Sequence, residues 1–278
     1  MNRIGTDCIH STRNIIKPAS LGVALVALVG AGWVSKLEAS SPKGTFWTHQ
    51  AVNAAMDLAD SSIQHLDIQV DDMDVVRTEI VIDGETWTLE LRKHSLRSDD
   101  FQLLVQYEVN GPLVPEEPAP VRTYRGYVLE RPDAAVRASF FEGQLDAVIA
   151  TPDGEYGVQS LANLGFNAPN SEHVVYHADD WINTGNYRCG VNDDAQPLGE
   201  EGEEGGVAGT GQKIAELGLD ADFEFYQLNG SNVNNTLADM ENVINNVEVR
   251  YEVASIGITY EITTAIVRTV SGSPYTSP

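Results

Sequence analysis

Between residues 78 and 161 apolar side chains recur at every second position, which confines this part of the chain to strands. Ile80 and Ile82 alternate with polar neighbours, Asp83-Gly84 follows, and Trp87, Leu89 and Leu91 resume the alternation. Asp-Gly between two alternating runs predicts a tight hairpin, because Gly accepts the positive φ that the turn needs. Phe101, Leu103, Val105 and Tyr107 place another strand. Pro112, Pro115, Pro118 and Pro120 then break the pattern, since proline removes ladder donors. Further strands are predicted over 123–129, 135–141 and 144–150, and a Pro152-Asp153-Gly154 turn leads into Tyr156, Val158 and Leu161. The stretch reads as antiparallel β, a sandwich or open barrel.

The flanking segments differ in kind. Residues 40–77 read as an N-terminal helical segment: Val52, Ala55, Met56 and Leu58 sit near helical spacing, followed by Ile63 and Leu66, before the acidic Asp71-Asp72-Met73-Asp74. Residues 193–212 carry six carboxylates and six glycines with almost no apolar residues. Such a composition cannot offset chain entropy by burial, so it reads as a linker, with Gly202, Gly205 and Gly206 marking a candidate nicking region. Beyond it, a strand is placed on Asp222-Phe223-Glu224-Phe225-Tyr226. Val233, Leu237, Met240, Ile244, Val247 and Tyr251 form one helical face, and Ile256, Ile258, Tyr260 and Ile262 alternate as the next strand. A strand, a long helix and a strand predict a parallel pair with a right-handed crossover. One such unit is too small to close a core, so residues 213–278 read as the beginning of a domain.

The formal net charge is −24. Such a surface repels phosphates, which sets nucleic-acid partners aside. At the N-terminus, Arg3, Arg13 and Lys17 precede the uncharged apolar run 21–34, and Ala39 offers a small residue for cleavage. That is the layout of a secretory signal over residues 1–39, so export and no stable membrane span are expected; the rival is an uncleaved anchor. Removal of the signal takes Cys8 with it and leaves Cys189 as a lone thiol in an oxidising compartment.

No G-x-S-x-G elbow and no Walker-type loop occurs. None of the six histidines is followed by Glu, so there is no H-E-x-x-H zinc helix. His173 and His177 are four apart, but Val174-Val175-Tyr176 between them favours a strand, on which imidazoles at that spacing do not easily share a metal. Cys189 sits in Tyr187-Arg188-Cys189-Gly190-Val191-Asn192, where Gly190 permits close approach to a metal and Arg188 favours the zinc-binding thiolate. Trp47, Trp181 and Tyr187 are aromatics available to an adhesive or carbohydrate-binding surface.

Taken in order, several pieces of 78–192 resemble the prodomain of adamalysin-type (reprolysin, ADAM-like) metzincin proteases. They are the Trp87-Leu89-Leu91 hairpin, Tyr124-Arg125-Gly126-Tyr127-Val128, Phe141-Glu142-Gly143-Gln144-Leu145, Tyr156-Gly157-Val158-Gln159-Ser160-Leu161, His173-Val174-Val175-Tyr176 and Cys189-Gly190-Val191. Residues 213–270 resemble the start of that family's catalytic domain, with Glu216-Leu217-Gly218-Leu219-Asp220-Ala221-Asp222 similar to its first strand. The family's Pro-Lys pair before the cysteine and a basic processing site in the linker are not present.

The resemblance implies an α+β fold: an antiparallel β-rich prodomain, then the βαβ start of a truncated α/β metzincin-like catalytic domain over 213–278. It implies a precursor fragment of a secreted zinc metalloendopeptidase, latent through a cysteine switch in which Cys189 occupies the zinc. Zinc is implied by the family but its usual ligands are absent here, so the chain alone is expected to be inactive. Glu216 matches a position that contributes to a structural calcium site in some members. The implied partners are a protein substrate or a related metalloprotease. Two alternatives stand beside this: a prodomain-like protein that inhibits or chaperones such a protease in trans, and an exported β-domain for adhesion or carbohydrate binding.

Overall fold

A computed structural model describes residues 47–70, 74–182, 213–252 and 256–272. The signal segment with Ala39, the linker with Gly202, Gly205 and Gly206, and Cys189 lie outside the described residues.

Helix α1 (His49–Met56) begins where the Thr48 side chain accepts the Ala51 N–H at 3.1 Å, and it ends at Asp57, whose φ is 54°. Its run is shorter than the helical segment read from the sequence. Ile63 belongs to β1 (Ser62–His65), because its backbone is claimed by a sheet partner, Val174. The strands that follow are β2 (Gln69–Val70), β3 (Val75–Ile82), β4 (Glu85–Lys93), β5 (Arg97–Gln106), β6 (Leu113–Glu116), β7 (Thr123–Val128), β8 (Arg131–Phe141), β9 (Gln144–Thr151), β10 (Gly154–Ser160) and β11 (Glu172–His177). The C-terminal part adds β12 (Lys213–Ala221), α2 (Phe223–Leu228), α3 (Val233–Glu248) and β13 (Ile258–Arg268).

Nine strands form one curled antiparallel sheet in the order β1-β11-β10-β9-β8-β7-β4-β3-β2. The alternation seen in the sequence is its cause. Ile80, Ile82, Trp87, Leu89, Leu91, Val136, Leu145, Ile149 and Val158 line the inside of the curl as one core. On the other face, α1 packs Val52 and Met56 against Leu161, Val174 and Tyr176. The Asp83-Gly84 hairpin forms as expected, with φ of 54° and 82° and Ile82 opposite Glu85. Gly126 has a separate reason: a Cβ there would lie 1.8 Å from the Glu90 carbonyl oxygen on the neighbouring strand.

The C-terminal expectation is corrected. Strands hold 51% and helices 17% of the described residues, so the fold is β-rich and not a β-prodomain followed by a metzincin-like α/β domain. Phe223, Glu224, Phe225 and Tyr226, read as a strand, are helical, because the Asp222 side chain accepts the Phe225 N–H at 2.8 Å and caps α2. Strands β12 and β13 do pair in parallel, but they do not stand alone. β13 also pairs in parallel with β5, giving a four-stranded sheet β12-β13-β5-β6. β5 therefore leaves the antiparallel run to which its alternation seemed to assign it. The apolar residues that a lone βαβ unit would leave bare are covered jointly, as Leu103 and Val105 of β5 join Leu237, Met240, Ala265 and Val267 in one core. Pro115 is accommodated because β6 lies at the edge of this sheet, where one missing donor is tolerated.

Candidate functional site

The histidine pair is settled by hydrogen bonding. His173 on β11 is fully buried, and its Nε2 accepts the Leu145 N–H at 3.1 Å while Nδ1 faces the Ser171 carbonyl at 3.0 Å. Those partners assign the proton to Nδ1 and use both ring nitrogens, leaving none for a metal. Burial holds its pKa below the ordinary histidine range. His177, four residues on, accepts the Asp179 N–H on Nδ1 at 3.2 Å and stacks edge-on against Tyr156. His173 is thus a structural residue, and the His177 bond caps the short helical turn after β11.

Glu216 is exposed on β12, in register with Glu261 of β13. No group of three or more histidine, cysteine or acidic side chains is gathered for a metal among the described residues. Glu216 therefore belongs to no such group, and Cys189, the candidate zinc ligand, lies outside the described residues. Trp47 and Trp181 pack against the α1 core rather than forming an exposed aromatic platform, and Tyr187 lies outside the described residues. Among the described residues no helix is long and apolar enough to cross a membrane.

The polar cluster that the structure does assemble lies where α3 crosses the large sheet. Arg125 of β7 and Arg137 of β8 face one another in register, a like-charge pairing that is unfavourable by itself. Glu248 and Glu252 neutralise it. Arg125 donates to Glu248 and, at 3.0 Å, to Glu252, while Arg137 donates to Glu252 and to the Val136 carbonyl. Glu248 has no exposed surface, and its other oxygen accepts the Tyr260 N–H at 2.6 Å. Asn245, also fully buried, donates to the carbonyls of Tyr124 and Ala138, both at 3.1 Å. Burial, then Arg125 and Arg137, push the pKa of nearby His94 down to about 4. Burial likewise lowers Arg137 to about 10, with Arg125 adding to the effect and Glu248 opposing it.

Three further pairs extend the clamp. Arg97 grips Glu241 through two nitrogens at 2.5 and 3.1 Å, Arg250 reaches Glu155, and Arg268 takes Asp220 at 2.9 and 2.6 Å. Sequence reading missed this arrangement because it followed the apolar face of α3. Glu241, Asn245, Glu248 and Glu252 nevertheless recur at spacings of four, three and four, the signature of a second, polar buried face. Chemically the cluster is a clamp: each carboxylate is held by a guanidinium, and none is presented to a reacting centre.

Comparison with known proteins found no matching family model and no matching curated protein.

Proposed function

We propose that the chain is an exported, prodomain-type latency module that binds and silences a zinc metalloendopeptidase in trans, with Cys189 as its zinc-directed thiolate. The zinc belongs to the partner enzyme, and the reading assigns no hydrolysis to this chain. The observation that carries it is the anchoring of Ile182, the last described residue before the cysteine, at the end of α1. Trp181 bridges to Leu58, and the Ile182 N–H donates to the Asp57 carbonyl at 2.6 Å, at the C-terminal cap of α1. Seven positions later comes Cys189. That length spans at most about 25 Å, so chain length tethers the thiol within that reach of the anchored Ile182. A leash of this kind raises the effective concentration of a weak thiolate ligand once the module is seated on its partner.

The test is an inhibition assay on a metzincin-type endopeptidase with the full chain and with Cys189→Ala. Inhibition by the parent chain, weakened at least tenfold by Cys189→Ala, is expected. With a cobalt-substituted enzyme, the parent alone should add a sulfur-to-metal charge-transfer band. Equal inhibition by both chains would remove the thiol mechanism, and inhibition by neither would remove the proposed function.

A further inference from the structure

The two ends of the nine-stranded sheet meet without pairing. The sheet's curl brings β1, at one end, opposite β3, near the other, and among the described residues the Gln64 side chain spans the gap. Gln64 Nε2 donates to the Val81 carbonyl at 2.7 Å, and the Val81 N–H donates to Gln64 Oε1 at 2.8 Å. A glutamine amide here stands in for a peptide group of a missing strand. Directly paired strands lie about 4.8 Å apart and would leave no room for it. The edge of β3 is covered by β2 only at Val76 and Arg77. Backbone groups in a strand alternate sides, so if Val81 points outward, Glu79 N–H and C=O point into the same gap, and no described residue bonds them.

The gap opens into a cleft of about 1060 Å³. That is at or beyond the upper end of small-molecule pockets, roughly 300–1,000 Å³, and suits an extended chain better. Thr78 lines it at 3% exposure, and its hydroxyl has no hydrogen-bond partner. A buried polar atom left in this state is a place for a ligand group. The rim is acidic: Asp60, Asp67, Glu79, Asp83 and Asp180 face the single guanidinium of Arg77, which Glu90 already holds at 2.9 Å. The chain's own acidic linker is repelled by such a rim, whereas a cationic segment is attracted.

We infer that this cleft is a β-addition site for an extended, basic peptide of a partner protein, which displaces Gln64 and pairs with the free edge of β3 at Glu79 and Val81. Main-chain bonds supply the affinity. Outward-facing lysines or arginines meet the acidic rim, and small inward-facing residues such as threonine meet the Thr78 hydroxyl. The site depends neither on Cys189 nor on zinc.

The probe is a fluorescein-labelled Lys-Thr-Lys-Val-Lys-Thr-Lys peptide, titrated against the full chain by fluorescence anisotropy. Saturable binding is expected, with none for the counterpart bearing Glu in place of Lys. Val81→Pro removes the outward N–H while leaving the β3–β4 ladder and the core intact, because the side chain is 47% exposed and the amide faces away from β4. It should weaken binding at least tenfold, and Gln64→Ala should tighten it severalfold by removing the internal competitor. A second arm leaves the protein untouched and uses two peptides N-methylated on alternate amides in opposite phase. One phase should abolish binding and the other should leave it. Failure of the cationic peptide to bind, binding to Val81→Pro within twofold of the parent, or equal effects of the two methylation phases would overturn the proposal. The last two are the marks of plain charge attraction.

Discussion

Arg125 reaches from β7 to donate a hydrogen bond to Glu248, a carboxylate of α3 with no exposed surface. The pair joins the C-terminal segment to the large sheet, and each member makes the burial of the other tolerable. Arg125→Met strands Glu248 as an uncompensated buried charge and is expected to destabilise the chain by about 3–5 kcal/mol. Adding Glu248→Gln, which keeps an acceptor for the Tyr260 N–H, should recover at least half of that loss. Chemical denaturation of the two single variants and the double variant measures both effects and their coupling.

Cleavage in the 193–212 linker is expected not to separate the two parts of the chain. β13 pairs with β5 at Ile262 and from Thr264 to Arg268, and the pairs Arg125–Glu248, Arg97–Glu241 and Arg250–Glu155 hold α3 and the turn after it on the part of the chain before the linker. After limited proteolysis at neutral pH, size-exclusion chromatography should show one species that resolves into two pieces only in denaturant. Two peaks without denaturant would show that residues 213–272 form a separable unit.

A half-buried histidine and a buried aspartate push the acid stability of the fold in opposite directions. His94 is held at about 4, below its ordinary 6.5, first by burial and then by Arg125 and Arg137; its contribution is complete above pH 6.5 and is lost as pH falls through about 4. Asp146 is raised from 3.8 to about 6 by burial, against the opposing bonds from the Ser160 N–H and Asn163; its contribution is present below about 4 and is lost as pH rises through about 6. For the fully buried Asp146 this is on the order of 2–3 kcal/mol, and for the half-buried His94 it is smaller because solvent screens part of the effect. Between pH 6.5 and 4 they oppose one another. Asp146→Asn should therefore steepen the loss of stability on acidification, and His94→Gln should flatten it, as read from denaturation midpoints across that range.

Gly126→Ala is expected to break the β4–β7 ladder. The added carbon would sit 1.8 Å from the Glu90 carbonyl oxygen, which is backbone and cannot swing aside. A loss of roughly 3 kcal/mol or more is expected from this overpacking, or failure to fold. Gly84→Ala tests a different constraint, the φ of 82° in the Asp83-Gly84 turn with open space around it, and should lose only about 1 kcal/mol. Thermal unfolding of the two variants separates contact from conformation.

Much of the large sheet was legible beforehand for a local reason. Each residue of a half-buried strand declares its face by its own polarity, so Ile80, Trp87, Leu89 and Ile149 could be placed without knowing their partners. The candidate sites were less legible. His173 showed only as one of a pair of histidines, and its bond to Leu145 depends on how β9 and β11 are set on either side of β10. The Gln64–Val81 bridge was not visible at all, because its partners are 17 positions apart and meet only when the sheet curls. The polar face of α3 was in plain sight at helical spacing, but polarity on a helix is ordinarily solvated, and nothing local says that arginines wait opposite.

By itself, then, the sequence determined strands β3, β4 and β7 to β10 of the large sheet, the Asp83-Gly84 turn and the overall acidity. These follow from properties that each residue or dipeptide carries alone. Only the tertiary structure decided which sheet β5 joins, that residues 213–272 are built into the body through β13, and that Glu248 is buried against Arg125. Strand partners and buried ion pairs are long-range pairings, chosen by which surfaces together exclude the most water and leave the fewest unpaired charges. A periodicity shows that a residue faces inward, but not what it will meet there.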